Sequence, residues 1–227
     1  MTTTRTTTSS TDGSTHQMYI HMDADTPALA RFEALVQAQQ PATEPWQPVT
    51  DYSLEARKAI EGPHAQLILQ HLIECDDADI LDYGCGPDAH LVRMLREASH
   101  GTQVSVKGFD PQRPGSEAAL RRMGVYDLVI CREVLEHLTI RQIRDTVTRL
   151  CAMTAIRVYV TTRFAKAPQH LLDVDTSDDL DPTHITMLNQ TFLRVLFVLE
   201  GFRRRADLEQ RMDWQHKGRV LVYERHD

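Results

Sequence analysis

The fold is decided by one short stretch of the chain, Ile80-Leu81-Asp82-Tyr83-Gly84-Cys85-Gly86-Pro87-Asp88. Apolar residues come first, an acid ends them, and two glycines one residue apart precede a segment with helical character. Glycine permits the tight backbone turn that this order requires, and a helix N-terminus presents backbone N–H groups to a ligand. The stretch therefore predicts a strand, a glycine turn and a helix against which a nucleotide-like cofactor can lie.

Composition limits the classes of protein to which this chain can belong. With 227 residues, of which 41% are hydrophobic and 25% charged, it can form one domain with a full core. A net charge of −7 disfavours a nucleic-acid partner, and no apolar run is long enough to span a membrane. The N-terminus lacks an apolar signal core. The four cysteines form no C-x-x-C pair, so we expect a reducing, cytoplasmic location without disulfides or a zinc site: Cys75, Cys85, Cys131 and Cys151.

The first third of the chain is predicted to contain a tail and two helical pieces. Eleven of residues 1–15 are Ser or Thr, which predicts a disordered tail over residues 1–17. Apolar spacing predicts one helix over 27–39 and another over 54–75, interrupted at Gly62-Pro63. We therefore divide the chain into the tail, an N-terminal helical cap over 18–62, and the main domain over 63–227.

From residue 79 onward, predicted strands alternate with predicted helices. The strands cover 79–82, 103–109, 126–131, 156–161, 202–206 and 219–224, and the helices cover 89–98, 116–123, 140–153 and 188–200. This order predicts an α/β fold with a doubly wound, mostly parallel sheet and a β-hairpin at the end. Only 15 residues lie between Asp110 and Tyr126, so a third strand between them is missing or shortened.

The glycine turn permits more than one cofactor. Gly84-x-Gly86-x-x-Ala89 fits the dinucleotide fingerprint, so an NAD-type oxidoreductase is one alternative. Asp82 argues against it, because a carboxylate here would repel a pyrophosphate and favour a cationic group. Asp110 ends the next strand, where an acid can accept hydrogen bonds from ribose hydroxyls.

A second motif narrows the choice: Tyr126-Asp127-Leu128-Val129-Ile130-Cys131-Arg132-Glu133-Val134-Leu135-Glu136-His137-Leu138. Together with the Asp82-x-Gly84-Cys85-Gly86 turn, it resembles the class I S-adenosylmethionine-dependent methyltransferases. In that family a D-x-G-x-G turn closes the first strand, an acid ends the second, and a later apolar strand leads into E-V-L-E-H. The segment from Asp181 to Thr186 and the pair Gly201-Phe202 are similar to late signals of the family. The resemblance covers roughly residues 63–225.

The resemblance implies a Rossmann-like methyltransferase fold, S-adenosylmethionine as cofactor, and methyl transfer to a small-molecule or glycan acceptor, most often at oxygen. It also implies that His137 faces the acceptor; because an oxygen acceptor must lose a proton, His137 and His184 are the predicted catalytic residues, either of which could serve as base. It also implies these cofactor-binding residues: Asp82, Gly84, Cys85, Gly86, Asp110, Arg132, Glu133 and Val134. Members that methylate RNA 3′ ends bind a divalent metal with a set similar to Glu133, Glu136, His137 and His184, but we predict no metal here.

Two departures from the family pattern leave alternatives open. Asp88 stands where the family usually has a third glycine, and its side chain would either crowd the cofactor or cap the following helix. The short segment over 111–125 leaves no adenine contact assigned. A methyltransferase-like binding domain without activity therefore remains an alternative. The run Arg203-Arg204-Arg205 is interpreted as a solvated strand edge, not as a phosphate site.

Overall fold

The computed structural model describes residues 27–39, 54–165, 172–173, 181 and 183–226. The chain forms two compact units, residues 1–38 and 39–227. The first contains helix α1 (Pro27–Ala38), and the second contains the other elements of the described residues. The predicted tail over 1–17 lies outside the described residues. Within the described ranges, no helix is both long and apolar enough to cross a membrane.

The second unit alternates strands and helices, as the sequence predicts. The strands are β1 Asp79–Tyr83, β2 Ser105–Phe109, β3 Tyr126–Arg132, β4 Thr154–Thr161, β5 Leu172–Asp173, β6 Met187–Leu188, β7 Phe202–Arg204 and β8 Val220–Arg225. Besides α1 of the first unit, the helices are α2 Leu54–Leu72, α3 His90–Ala98, α4 Ser116–Leu120, α5 Ile140–Ala152, α6 Gln190–Leu199 and α7 Ala206–Met212. A 3₁₀ turn covers Leu135–His137.

Six strands form the central sheet in the order β2-β1-β3-β4-β8-β7. The pairs β1–β2, β1–β3 and β3–β4 are parallel, and β8 is antiparallel to both β4 and β7. The predicted doubly wound, mostly parallel sheet is thereby confirmed. Strand β2 lies on one side of β1, and the next strand in the chain, β3, lies on the other side. The strand order therefore reverses at β1. Ligands of open α/β sheets bind at the carboxyl ends of the strands at such a switch point.

The sheet is buried on both faces, which is why its strands are nearly continuous apolar runs. One apolar cluster packs α5 and α6 against one face through residues such as Val129, Leu150 and Phe197. The other packs α2 and α3 against the opposite face through Ile68, Leu95 and Ile130. Alternate residues of β3 thus point into different clusters, and this fixes the register that brings the ends of β1 and β3 together.

Residues 111–125 are described throughout and contain α4 but no strand. The structure therefore confirms that the third strand is missing. The predicted interruption at Gly62-Pro63 is wrong, because α2 continues through Pro63. Proline removes one backbone donor, but burial of Ala65, Ile68 and Leu72 on one face holds the helix in place.

The two final strands pair antiparallel as predicted, but they are not a simple hairpin, because α7 lies between them. This seven-residue helix is mostly polar, and only Leu208 and Met212 give it an apolar face. Its buried Glu209 accepts hydrogen bonds from Arg204 (2.8 Å) and from the backbone N–H of Val222 (3.4 Å). A tertiary contact of this kind has no periodic sequence signal.

Candidate functional site

The glycine turn at the end of β1 is held against the end of β2. The backbone N–H groups of Gly84 and Cys85 both donate to the Phe109 carbonyl, at 2.7 and 3.1 Å. Gly84 has a φ of +85°, and a Cβ built on it would lie 2.3 Å from Cγ2 of Val134. Only glycine meets both conditions without strain. The turn therefore brings the backbone of β1 into direct contact with the E-V-L-E-H segment.

Asp88 is an exposed residue next to the turn and is not the N-cap of α3. Its side chain is 62% exposed and lies near His90, with 3.6 Å between Oδ2 and Nε2. The N-cap of α3 is Ala89, which has a left-handed backbone (φ 46°) and makes no side-chain capping bond. The expectation that Asp88 is the N-cap of α3 is therefore wrong, because the left-handed Ala89 takes that position and α3 begins at His90.

Asp110 lies beside the turn, as predicted from its place after β2. Its carboxylate accepts a hydrogen bond from the backbone N–H of Gln112 at 2.9 Å and lies 3.9 Å from Nε of Arg113. Arg113 in turn donates to the carbonyls of Gly86 (3.1 Å) and Pro87 (2.5 Å). This arginine, which the sequence reasoning missed, links the end of β2 to the glycine turn and steadies both.

Three charged side chains meet where β1 and β3 end. Arg132 donates to both oxygens of Glu61, at 2.7 and 3.3 Å, in a two-pronged ion pair across α2 and β3. Asp82 is 4% exposed. Burial, opposed by nearby Arg132 and reinforced by Glu61, raises the pKa of Asp82 to about 7. The sequence analysis placed Asp82 and Arg132 at this site but gave no signal for Glu61.

The end of β3 is bent by an unusual backbone at Glu133, whose φ is +50°. Its N–H donates to the Thr161 carbonyl at 2.8 Å, which continues the β3–β4 ladder to its last residue. Glu136 is fully buried and accepts a hydrogen bond from the Thr162 hydroxyl at 2.8 Å. Burial, and then the charge of Glu133, raises the pKa of Glu136 well above its ordinary value. The surroundings of Glu136 therefore favour its neutral form.

The two predicted catalytic histidines lie together. The rings of His137 and His184 are 4.7 Å apart between centroids. Nδ1 of His137 is 3.2 Å from the Thr183 carbonyl oxygen and 2.9 Å from the Thr183 hydroxyl. Because a carbonyl only accepts, Nδ1 carries the proton and Nε2 the lone pair. Burial, and then His184, lowers the pKa of His137 below 6.5, so the ring is neutral at pH 7.

Asp181 completes this group, which we call the histidine cluster: His137, Asp181, Thr183 and His184. The Asp181 carboxylate accepts from both the N–H and the hydroxyl of Thr183, at 2.9 and 2.5 Å. Although burial opposes ionisation, these hydrogen bonds keep the pKa of Asp181 below its ordinary value. The Thr183 hydroxyl therefore donates to Asp181 and accepts from His137, which orients the imidazole.

Backbone hydrogen bonds place the histidine cluster beside the glycine turn. The Glu136 carbonyl accepts from the N–H groups of Ile185 (2.9 Å) and Thr186 (3.1 Å), so the late segment is joined to the 3₁₀ turn. The N–H of His137 donates to the carbonyl of Val134, whose side chain contacts Gly84. One helical turn thus separates the histidine from the predicted cofactor turn.

The side chain of Gln39 forms hydrogen bonds with two separate segments of this region. Its amide nitrogen donates to the Thr186 hydroxyl at 2.7 Å, and its oxygen accepts from the N–H of Ile140 at 2.9 Å. These bonds join the start of α5 to the segment that carries His184. No sequence pattern marks Gln39, because its partners are more than 100 residues away.

Among the described residues, one group has donor atoms spaced for a metal ion, namely His137, Asp181 and His184, with all three ligand atoms within 4.8 Å of one another. It does not include Glu133 or Glu136, which the resemblance to metal-binding relatives implied. Tetrahedral bonds of about 2.0–2.1 Å would place the ligand atoms about 3.3 Å apart. Hydrogen bonds to Thr183 orient His137 and Asp181, and Nε2 of His184 lies 3.7 Å from the Asp181 carboxylate.

The three consecutive arginines near β7 are ion-paired within the protein. Arg203 and Arg205 both contact Glu224, and Arg204 contacts Glu209 at 2.6 Å. Their charges are therefore matched by acids on β8 and α7, which agrees with the strand-edge interpretation.

The comparisons with known proteins decide the family. A family model described as a methyltransferase domain matches residues 56–205, more than half of the chain. The chain belongs to this methyltransferase family. The sequence-based assignment to the class I S-adenosylmethionine-dependent methyltransferases is thereby confirmed. No curated protein matches the sequence.

Solved structures with similarity to this methyltransferase have low sequence identity to it. A SAM-dependent methyltransferase from Archaeoglobus fulgidus is 11% identical with a TM-score of 0.52, covering 74% of this chain and 94% of its own. Magnesium protoporphyrin IX methyltransferase from Synechocystis PCC 6803, with bound SAH, is 14% identical with a TM-score of 0.45, covering 89% and 96%. 1,6-Didemethyltoxoflavin-N1-methyltransferase from Burkholderia thailandensis is 14% identical with a TM-score of 0.48, covering 82% and 94%.

Proposed function

We propose that this methyltransferase transfers the methyl group of S-adenosylmethionine to an oxygen atom of a small-molecule or glycan acceptor, with His137 as general base. The observation that carries the proposal is the hydrogen bond from Nδ1 of His137 to Thr183, which leaves the lone pair on Nε2. A neutral imidazole with a fixed tautomer can accept the proton that an acceptor hydroxyl loses.

The cofactor-binding residues predicted from the sequence fit S-adenosylmethionine. Gly84, Cys85 and Gly86 offer backbone at the switch point of the sheet, and Asp110 has a carboxylate at the end of β2, where ribose hydroxyls would donate. Asp82 and Arg132 would bind the amino-acid part, and Glu133 and Val134 would line the cofactor beyond β3. The bound cofactor would supply a methyl group on a positively charged sulfur.

The residues of the chain have two tasks in this reaction. The first is placement, because an activated methyl group reacts when the acceptor oxygen is held in line behind it. The second is removal of the acceptor proton, for which Nε2 of His137 is the proposed acceptor and His184 its neighbour. His137 would accept the proton that the acceptor hydroxyl loses, and the bound cofactor would supply the methyl group and leave as the neutral thioether S-adenosylhomocysteine.

The test is acceptor-dependent release of S-adenosylhomocysteine in a panel of catechols, hydroxybenzoates, oligosaccharides and primary amines. We expect turnover with a hydroxylated compound, constant from pH 8 to 6.5 and falling at lower pH, because the pKa of His137 is lowered. His137→Gln should reduce kcat by about 10²–10⁴-fold with unchanged affinity for S-adenosylhomocysteine.

His90→Gln is the matched control, since His90 lies near the glycine turn but outside the histidine cluster. Turnover with amines alone would contradict the choice of oxygen. Full activity in both His137→Gln and His184→Gln would remove the proposed base. If S-adenosylhomocysteine binds but no compound in the panel is methylated, the methyltransferase-like binding domain becomes the better description.

A further inference from the structure

The inference concerns α2, an element to which the sequence analysis gave no part in the site. Two contacts fix this helix over the ends of β3 and β4. His64 is 5% exposed, and its Nε2 lies 2.8 Å from the hydroxyl of Tyr159 in β4. Ala65 and Ile68, on the following turn, are fully buried. Burial, and then Arg132, lowers the pKa of His64 to about 2, so this contact is a neutral hydrogen bond.

Because His64 is fixed, Glu61, one turn earlier, is held over the end of β3. There its two oxygens meet the two terminal nitrogens of Arg132 at 2.7 and 3.3 Å. The pair is partly enclosed, with side-chain exposures of 20% and 21%. A guanidinium has five N–H donors, so Glu61 leaves Arg132 with donors for a second carboxylate.

The third member of the group is Asp82. It is 4% exposed, and none of the described residues donates a hydrogen bond to its carboxylate. A buried carboxylate without donors is costly, and Arg132, which is close enough to affect its pKa, is bound to Glu61 instead. A structural ion pair between Glu61 and Arg132 gives no reason for Asp82 to lie beside it.

An α-amino acid carries an ammonium and a carboxylate on one carbon, the charges that are complementary to this group. We infer that Glu61 is a cofactor-binding residue: with Asp82 it binds the ammonium of S-adenosylmethionine, and it holds Arg132 in place for the carboxylate. The inference rests on the cofactor of the proposed function but not on the oxygen acceptor or on His137. It can therefore be tested by binding alone.

The experiment compares two ligands by calorimetry, S-adenosylhomocysteine and 5′-methylthioadenosine, which shares the nucleoside but has no amino acid. We expect Glu61→Gln to weaken binding of S-adenosylhomocysteine by about 10–100-fold, as expected when a charged hydrogen-bond partner is lost. Binding of 5′-methylthioadenosine should change less than about threefold. Glu74→Gln is the matched control, because it removes another Arg–Glu pair, with Arg157, near the opposite end of the sheet.

A second variant separates binding from stability. The double change Glu61→Gln with Arg132→Gln replaces the ion pair by two neutral amides, so folding should be retained. We expect its affinity for S-adenosylhomocysteine to stay low while its melting temperature remains near that of the wild type. Restored affinity in the double variant, equal losses for both ligands, or tighter binding by Glu61→Gln would each overturn the inference. The last result would mean that Glu61 blocks the site.

Discussion

Replacement of Asp82 by asparagine should stabilise the cofactor-free enzyme and at the same time damage its site. The carboxylate is 4% exposed, and burial, opposed by Arg132 and reinforced by Glu61, raises its pKa from 3.8 to about 7. Above pH 7 the folded protein must therefore hold an ionised group in a place that favours the neutral form. Asparagine has nearly the same shape and no charge to bury.

The magnitude follows from the difference between the two pKa values. A shift of about 3 units at 1.36 kcal/mol per unit corresponds to about 4 kcal/mol. Because the folded state binds the proton more tightly, the wild type loses stability as the pH rises from about 4 to about 7. Asp82→Asn should therefore be more stable by about 4 kcal/mol at pH 8, or about 8–16 °C in Tm for a chain of this size, with little difference near pH 4.

Thermal unfolding of the cofactor-free proteins between pH 4 and pH 8 measures this directly. Asp79→Asn, at the exposed first residue of the same strand, is the control and should change stability by less than about 0.5 kcal/mol. Saturating S-adenosylhomocysteine should raise the Tm of the wild type more than that of Asp82→Asn, because the ammonium loses its partner. The reasoning is refuted if Asp82→Asn is less stable at pH 8, or if its advantage is the same at every pH.

Two further predictions concern the contacts around the turn. Gly84→Ala should lower the free energy of unfolding by about 2–5 kcal/mol, because the positive φ strains an alanine and its Cβ overlaps Val134. Gly115→Ala is the control, since at φ +80° with nothing within 4 Å it should show the strain alone. Equal losses of stability in urea unfolding of the two variants would rule out the overlap. Glu136→Gln should change stability at pH 7 by less than about 1 kcal/mol, because burial favours the neutral acid and Thr162 can still donate to the amide oxygen. A loss above about 3 kcal/mol would mean that Glu136 is ionised.

The hydrophobic pattern of the sequence correctly predicted most of the alternating strands and helices. Strands β1 and β3 were predicted to within one residue, because apolar runs of 4–8 residues bounded by turn residues are characteristic of buried parallel strands. The third strand was predicted to be missing or shortened, because 15 residues leave little room for a helix, a strand and two turns. The continuity of α2 through Pro63 was not predicted, because burial of its apolar face outweighs the local effect of proline.

By itself, the sequence determined the family, the parallel sheet and the position of the glycine turn, because each depends on residues close together in the chain. Only the tertiary structure could show that Glu61 meets Arg132 across 71 residues and that Thr183 orients His137 across 46. These partners lie on different elements, and their contact depends on how α2 and the late segment pack on the sheet. The Asp82-Tyr83-Gly84-Cys85-Gly86 turn can therefore be recognised from the sequence, but the arrangement of the charged side chains around it cannot.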